Sequence, residues 1–137
     1  MAFTGNYTCN SFKSGLISGD FDFDTDTIKM ALYTNAATLD EDTAAYTTTG
    51  EISASGYTAS GVTLTVEKGI TDNTAFISFE NVTISAVFTA RGALIYKSGG
   101  SNPAICVLDF GSDKTSTATF TVTFPTASSA DALIRLS

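Results

Sequence analysis

FTARGALIYKSGGSNPAICVLDF, residues 88–110, reads as two strands joined by a polar turn. Ala93, Leu94, Ile95 and Tyr96 are apolar at successive positions, and so are Ile105, Cys106, Val107 and Leu108. Successive side chains of a strand point to opposite faces, so neither strand has a polar face and both need protein on each side. Between them, Ser98-Gly99-Gly100-Ser101-Asn102-Pro103 supplies residues that accept positive φ. Pro103 has no N–H to give to a ladder and should end the pairing there. The stretch is expected to be the central hairpin of a β-domain. Arg91 and Asp109 interrupt its apolar character. With the turn centred on Gly100 they would face each other across the ladder as an ion pair that sets register. A structural pair outweighs a catalytic one, because ion pairs at the margin of a core commonly serve structure.

Working outward, Ile28, Met30 and Leu32 alternate with Lys29, Ala31 and Tyr33, which predicts a strand. Phe120, Val122 and Phe124 alternate with Thr119, Thr121 and Thr123 in a half-buried strand that Pro125 stops. Further strands are expected over Tyr57 to Val66, Ala75 to Phe79, Val82 to Val87 and Ala132 to Leu136. Turns are expected at Lys68 to Asn73 and Gly111 to Ser116. A short helix is predicted over residues 11–18, capped by Asn10 or Ser11, with Phe12, Leu16 and Ile17 on its apolar face and Gly19 as its stop. Residues 1–10 form an N-terminal arm or a short first strand. Residues 34–56 have no sustained period, although a helical turn over Leu39 to Ala45 fits. A connection that long is expected to serve function or to pack on a neighbour. Together these elements describe one domain over residues 1–137. It is all-β, an antiparallel sandwich of about eight strands with one short N-terminal helix.

The net charge is −7, and the 7 basic residues are scattered. Nucleic acid is an unsuitable partner for such a surface, because phosphate binding needs clustered Lys and Arg. No apolar run reaches the length of a membrane span, and no signal-peptide pattern follows Met1. Synthesis in a cytoplasm is therefore expected. Cys9 and Cys106 are expected to be free thiols, with a Cys9–Cys106 disulfide as the alternative.

The chain has no His, so Ser-His-Asp, Cys-His and His-based metal arrangements are excluded. The neighbouring Lys13/Ser14 and Lys97/Ser98 make no dyad on a strand, where adjacent side chains diverge. Gly99-Gly100 lacks the Lys and helix of a phosphate loop. No catalytic residue and no cofactor are expected. Asp20, Asp22, Asp24 and Asp26 alternate with Phe21 and Phe23, so an extended chain would align four carboxylates on one face. Calcium would suit such a cluster, but the calcium-loop pattern wants Gly and Glu where Thr27 and Tyr33 stand. A solvated charged face is the stronger reading. Tyr7, Tyr46 and Tyr57 fall in loop-like segments and are the candidate surface aromatics for a glycan.

Two blocks, FKSGLISGDFDFDTDTIKMALYT (residues 12–34) and FTARGALIYKSGGSNPAICVLDFGSDKTSTATFTVTFP (residues 88–125), resemble small structural proteins of tailed bacteriophages. ALYT, ARGALIY and LDFGSDK carry the resemblance most specifically. It implies a virion component on the capsid surface, a head decoration or cement protein. Its partners would be the major capsid protein and its own copies, as a homo-oligomer such as a trimer. A tail- or neck-associated module that recognises a host polysaccharide or another virion protein is the alternative. No site residue is implied by the resemblance.

Overall fold

The computed structural model describes residues 3–137. Met1 and Ala2, the start of the expected N-terminal arm, lie outside the described residues. The chain forms one helix, α1 (Asn10–Ser18), and ten strands. These are β1 (Tyr7–Thr8), β2 (Thr27–Tyr33), β3 (Val62–Thr63), β4 (Val66–Thr71), β5 (Thr74–Phe79), β6 (Val82–Ser85), β7 (Phe88–Ser98), β8 (Ala104–Ser116), β9 (Thr119–Val122) and β10 (Ile134–Leu136). All their pairings are antiparallel. The largest sheet has the order β1-β8-β7-β2-β3, a second has β10-β5-β4, and β6 pairs with β9.

The β7–β8 hairpin and β2 form the middle of the large sheet; β2 and the central parts of the hairpin, Gly92–Tyr96 and Ala104–Val107, are buried on both faces. Ile28, Met30, Leu32, Ala93, Ile95 and Cys106 belong to one apolar cluster, shared with Phe12, Phe79, Ile84, Val122 and Phe124. The alternate residues Ala31, Tyr33, Leu94, Tyr96 and Val107 belong to a second cluster. The first face is covered by α1 and the smaller sheets. The second is covered by the long segment 34–56, which contributes the buried Ala37 and Leu39, and by Phe3 and Cys9. That segment contains no named strand and no helical turn over Leu39 to Ala45. Its backbone is held by single bridges, Phe3 to Leu39, Tyr33 to Glu51 and Ala45 to Pro103. The first part of the excursion is therefore the lid of the second core, while Ile52 joins the first cluster, so its apolar side chains are spent on its own sheet.

Two irregularities shape β8. Tyr96 pairs with Ala104 while Ile95 pairs with Cys106, so Ile105 is an extra residue. It joins Cys106 in the first cluster instead of alternating away from it. Farther along, Ala90 pairs with Lys114 and Gly92 with Asp109, so Arg91 alone stands against residues 110–113. The expected turn from Gly111 to Ser116 is thus a wide bulge followed by renewed pairing, Lys114 to Ser116 with Ala90 to Phe88. The Thr-rich sequence there fits a strand as well as a loop, and Thr89 and Thr115 bond across it at 3.0 Å.

Other expectations are corrected. The strand expected over Tyr57 to Val66 is reduced to β3 and the first residue of β4; just before β3, Gly61 lies so close to the backbone of Met30 that a Cβ there would collide with the Met30 carbonyl. The turn expected at Lys68 to Asn73 shrinks to Asp72-Asn73, both at positive φ, as a two-residue hairpin requires. Gly69 lies within β4, with the Phe76 ring over it. Helix α1 has Cys9 at its N-cap, with no side-chain cap from Asn10 or Ser11. The Glu41 carbonyl instead accepts the Asn10 N–H at 2.8 Å, so the lid segment caps the helix. Gly19 closes the helix at φ 78. Ile17 is 91% exposed, so the buried stripe is Phe12 and Gly15 with Leu16 beside them.

Two-sided burial has a direct test. Leu94→Ala and Ile95→Ala remove neighbouring side chains on opposite faces, and both residues are fully buried. Each should cost about 2–5 kcal/mol by chemical denaturation. A near-neutral effect of Leu94→Ala would mean that segment 34–56 does not seal the second face.

Candidate functional site

The acidic stretch is not an extended ladder. Residues 22–26 fold into a tight turn in which the Asp22 carbonyl accepts the N–H groups of Thr25 and Asp26 at 3.2 and 2.8 Å. The Asp22 and Asp26 carboxylates are turned back onto the backbone: Asp24 N–H donates to Asp22 Oδ1 at 2.9 Å and Asp22 N–H to Asp26 Oδ2 at 2.7 Å. The Asp24 N–H and then the Thr25 hydroxyl hold the Asp22 carboxyl below the usual carboxylate range. Asp residues favour such local bonds, and that preference overrides strand alternation. Two lysines complete the arrangement. Lys68 pairs with Asp24 at 2.8 Å, and Lys97 reaches the Asp20 carbonyl at 2.6 Å and the Asp26 carboxylate at 3.4 Å. Phe21 and Phe23 point inward and pack on Phe12, with centroids 5.1 and 6.0 Å away. Among the described residues no three His, Cys, Asp or Glu side chains converge as a metal ion requires. The turn is an anchor between α1 and β2.

Arg91 and Asp109 meet, with Nε 3.0 Å from Oδ1. They do so at the bulge and not as directly opposed residues, since Asp109 pairs with Gly92. Asp109 Oδ1 also accepts the Gly111 N–H at 2.8 Å, and the Asp109 N–H donates to Asn6 Oδ1 at 2.6 Å. The Arg91 hydrogen bond, foremost, holds the Asp109 carboxyl below the usual range against the opposing effect of desolvation. Asp109 thus ties the bulge to its facing strand through its carboxylate, and to the N-terminal segment through its backbone N–H.

The most connected polar group is one the sequence did not single out. Glu51 lies in segment 34–56 and bridges to Tyr33 at the edge of β2. Its Oε1 accepts the Tyr46 hydroxyl at 2.5 Å. Its Oε2 accepts the Tyr57 hydroxyl at 2.5 Å and the Ser60 N–H at 2.9 Å. Tyr57 Oη in turn accepts the Leu32 N–H at 3.0 Å. Tyr96 stacks on Tyr46 with centroids 4.8 Å apart and donates to the Ser60 carbonyl at 2.6 Å, while Tyr33 donates to the Thr47 carbonyl at 2.6 Å. Tyr57 is buried and Tyr46 half-buried, and the hydroxyls of both are taken up by Glu51 as struts of the fold. Tyr7 is half-buried, with its hydroxyl on that of Thr4 at 2.6 Å. Burial first, then the Glu51 carboxylate, pushes the Tyr33, Tyr46 and Tyr57 hydroxyls well above the ordinary phenol range. They remain protonated donors, and the cluster locks the lid onto the sheet.

Cys9 and Cys106 are both free and buried. Thr8 pairs with Cys106, and the Cys9 N–H donates to the Ile105 carbonyl at 2.9 Å, so the two residues lie on neighbouring rungs. Both thiols are free, and their side chains belong to different apolar clusters, Cys106 to the first and Cys9 to the second. Burial pushes the Cys9 thiol up to about 12 and raises that of Cys106 as well.

Among the described residues no helix is long and apolar enough to cross a membrane. The chain matches no protein-family model, no curated protein and no solved structure.

Glu51→Ala strands two phenols and an N–H around a vacated site. It should cost about 2–4 kcal/mol, with Glu51→Gln milder because its carbonyl still accepts. Equal stability of Glu51→Ala and the parent in urea would remove the lock. The same cluster sets a pH dependence. Phenols whose folded pKa lies above the ordinary value of 10 keep their protons where the unfolded chain releases them. Stability from them is complete below pH 10 and should fall as pH rises above it. A denaturation midpoint that stays flat into that alkaline range would show the phenols to be free.

Proposed function

We propose that this chain is a structural protein of a bacteriophage particle, a capsid decoration or cement protein that docks on the major capsid protein and stabilises the head lattice. The reading is carried by the two blocks that resemble phage structural proteins, residues 12–34 and 88–125. In the fold they are direct neighbours: β2 of the first pairs with β7 of the second from Thr27↔Ser98 to Tyr33↔Gly92. The resemblance therefore falls on one continuous scaffold, α1 through β2 together with β7, β8 and β9. The polar clusters outside the core, at Asp22, Asp109 and Glu51, are each engaged in holding that scaffold together. Outer strands supply the means of docking, since β1, β3, β4 and β10 each end a sheet. Such edges offer backbone groups to neighbours, and weak contacts repeated over a lattice add up through avidity. Association of copies, for instance as trimers, follows from the local symmetry of a shell.

Quantitative mass spectrometry of purified particles tests this. The expected result is a copy number that scales with the major capsid protein, and particles lacking the chain that disassemble at lower temperature. A single ring of copies at the tail or neck, or absence from the particle, would overturn the head assignment.

A further inference from the structure

We infer that the groove between α1 and β10 is a strand-docking site for an extended, acidic and apolar segment of another protein. The groove has a volume of about 650 Å³ and runs from Thr8 of β1, along Phe12 and Leu16 of α1, to Leu133 beside β10. Phe12, Leu16 and Leu133 give it an apolar strip, Phe12 in the main core and the two leucines half-buried against it, while polar groups line much of the rest. Two independent features specify the occupant. The first is backbone. β10 and β1 are the outer strands of their sheets, and residues of both line one narrow cleft that continues the groove. Among the described residues, β10 makes backbone ladder bonds only to β5. An edge of this kind takes an added strand, which gains main-chain hydrogen bonds there and places alternate side chains on the floor.

The second feature is charge. The molecule carries −7 overall with only 7 basic residues. Three of them, Lys68, Arg91 and Lys97, are in ion pairs within the fold. Of the remaining four, Lys13 and Arg135 both border this groove. Both are exposed, and among the described residues neither has a carboxylate partner; the guanidinium bonds the Ala130 carbonyl at 2.6 Å. A positive rim on an acidic molecule selects a partner segment carrying carboxylates and repels a basic one. The inference concerns the groove itself and stands apart from the virion reading.

Binding in solution tests it with a short N-acetylated peptide of alternating valine and glutamate, followed by backbone amide NMR on the intact protein. Shifts should concentrate at Thr8, Lys13 and residues 133–136. Lys13→Glu with Arg135→Glu should weaken binding by about tenfold or more, since each reversal replaces attraction by repulsion. Lys114→Glu, which makes the same charge change away from the groove, should leave affinity unchanged. Lys13→Glu alone, at an exposed helix position, gives a partial loss even if the Arg135 variant is poorly folded. The valine–lysine counterpart should not bind. The inference is overturned by shifts centred on β4 or β8, by equal binding of the parent and the reversed variants, or by no binding at millimolar peptide. It is also overturned if the same residues shift with protein concentration in the absence of peptide, because the groove would then be filled by a second copy.

Discussion

The constraint on which the structure depends is that β2 and the central parts of β7 and β8, Gly92–Tyr96 and Ala104–Val107, have no face that tolerates water. A sheet apolar on one side needs one partner layer. This one needs two, and the chain has only one set of regular elements to give. Helix α1 and the smaller sheets serve the first face. The second is closed by irregular chain, and irregular chain does not satisfy its own backbone. A lid without a ladder has to be fastened by side chains. Glu51 and its tyrosines are that fastening, and the bond from the Asn10 N–H to the Glu41 carbonyl ties the same lid to the helix.

Several carboxylates of this protein act on its own backbone. Asp22 and Asp26 close a turn, Asp109 closes a bulge, and Glu51 closes a lid. In each case a short acidic side chain accepts N–H groups that the local chain path leaves without a ladder partner. At these places the negative charge is directed at the chain's own N–H groups. The basic residues divide the same way. Those that pair hold these anchors in place, and those that do not gather partly at one groove.

What could be read from the sequence was whatever had a period. The central hairpin, the facing of Ile28, Met30 and Leu32, the strand at Phe120 to Val122 and the stop at Gly19 all follow from alternation and turn chemistry. What escaped was everything decided by non-periodic chain. The Asp-Phe alternation at residues 20–26 has a strand period, yet it folds as a turn because Asp bonds its own backbone more cheaply than it lies exposed in a row. Glu51 carried no signal at all, being one acidic residue in a Thr-rich excursion. Only the number of tyrosines needing buried partners hinted that an acceptor had to exist. Tyr46 and Tyr57 were misplaced for the same reason, since loop-like sequence reads as surface although here it forms a layer of the core.

The extra residue at Ile105 bears on how this chain can change in length. On either side of it the strand keeps strict alternation, Ala104 and Val107 to one face, Cys106 and Leu108 to the other. Removing Ile105 alone would restore an unbroken ladder and leave every neighbour facing as before. Removing Val107 would exchange the faces of the residues next to it and drive side chains fitted to one core into the other. Gains and losses of single residues in this strand should therefore be confined, among related chains, to Ile105 and to the wide bulge at 110–113. The ladder between them behaves as a segment of fixed length.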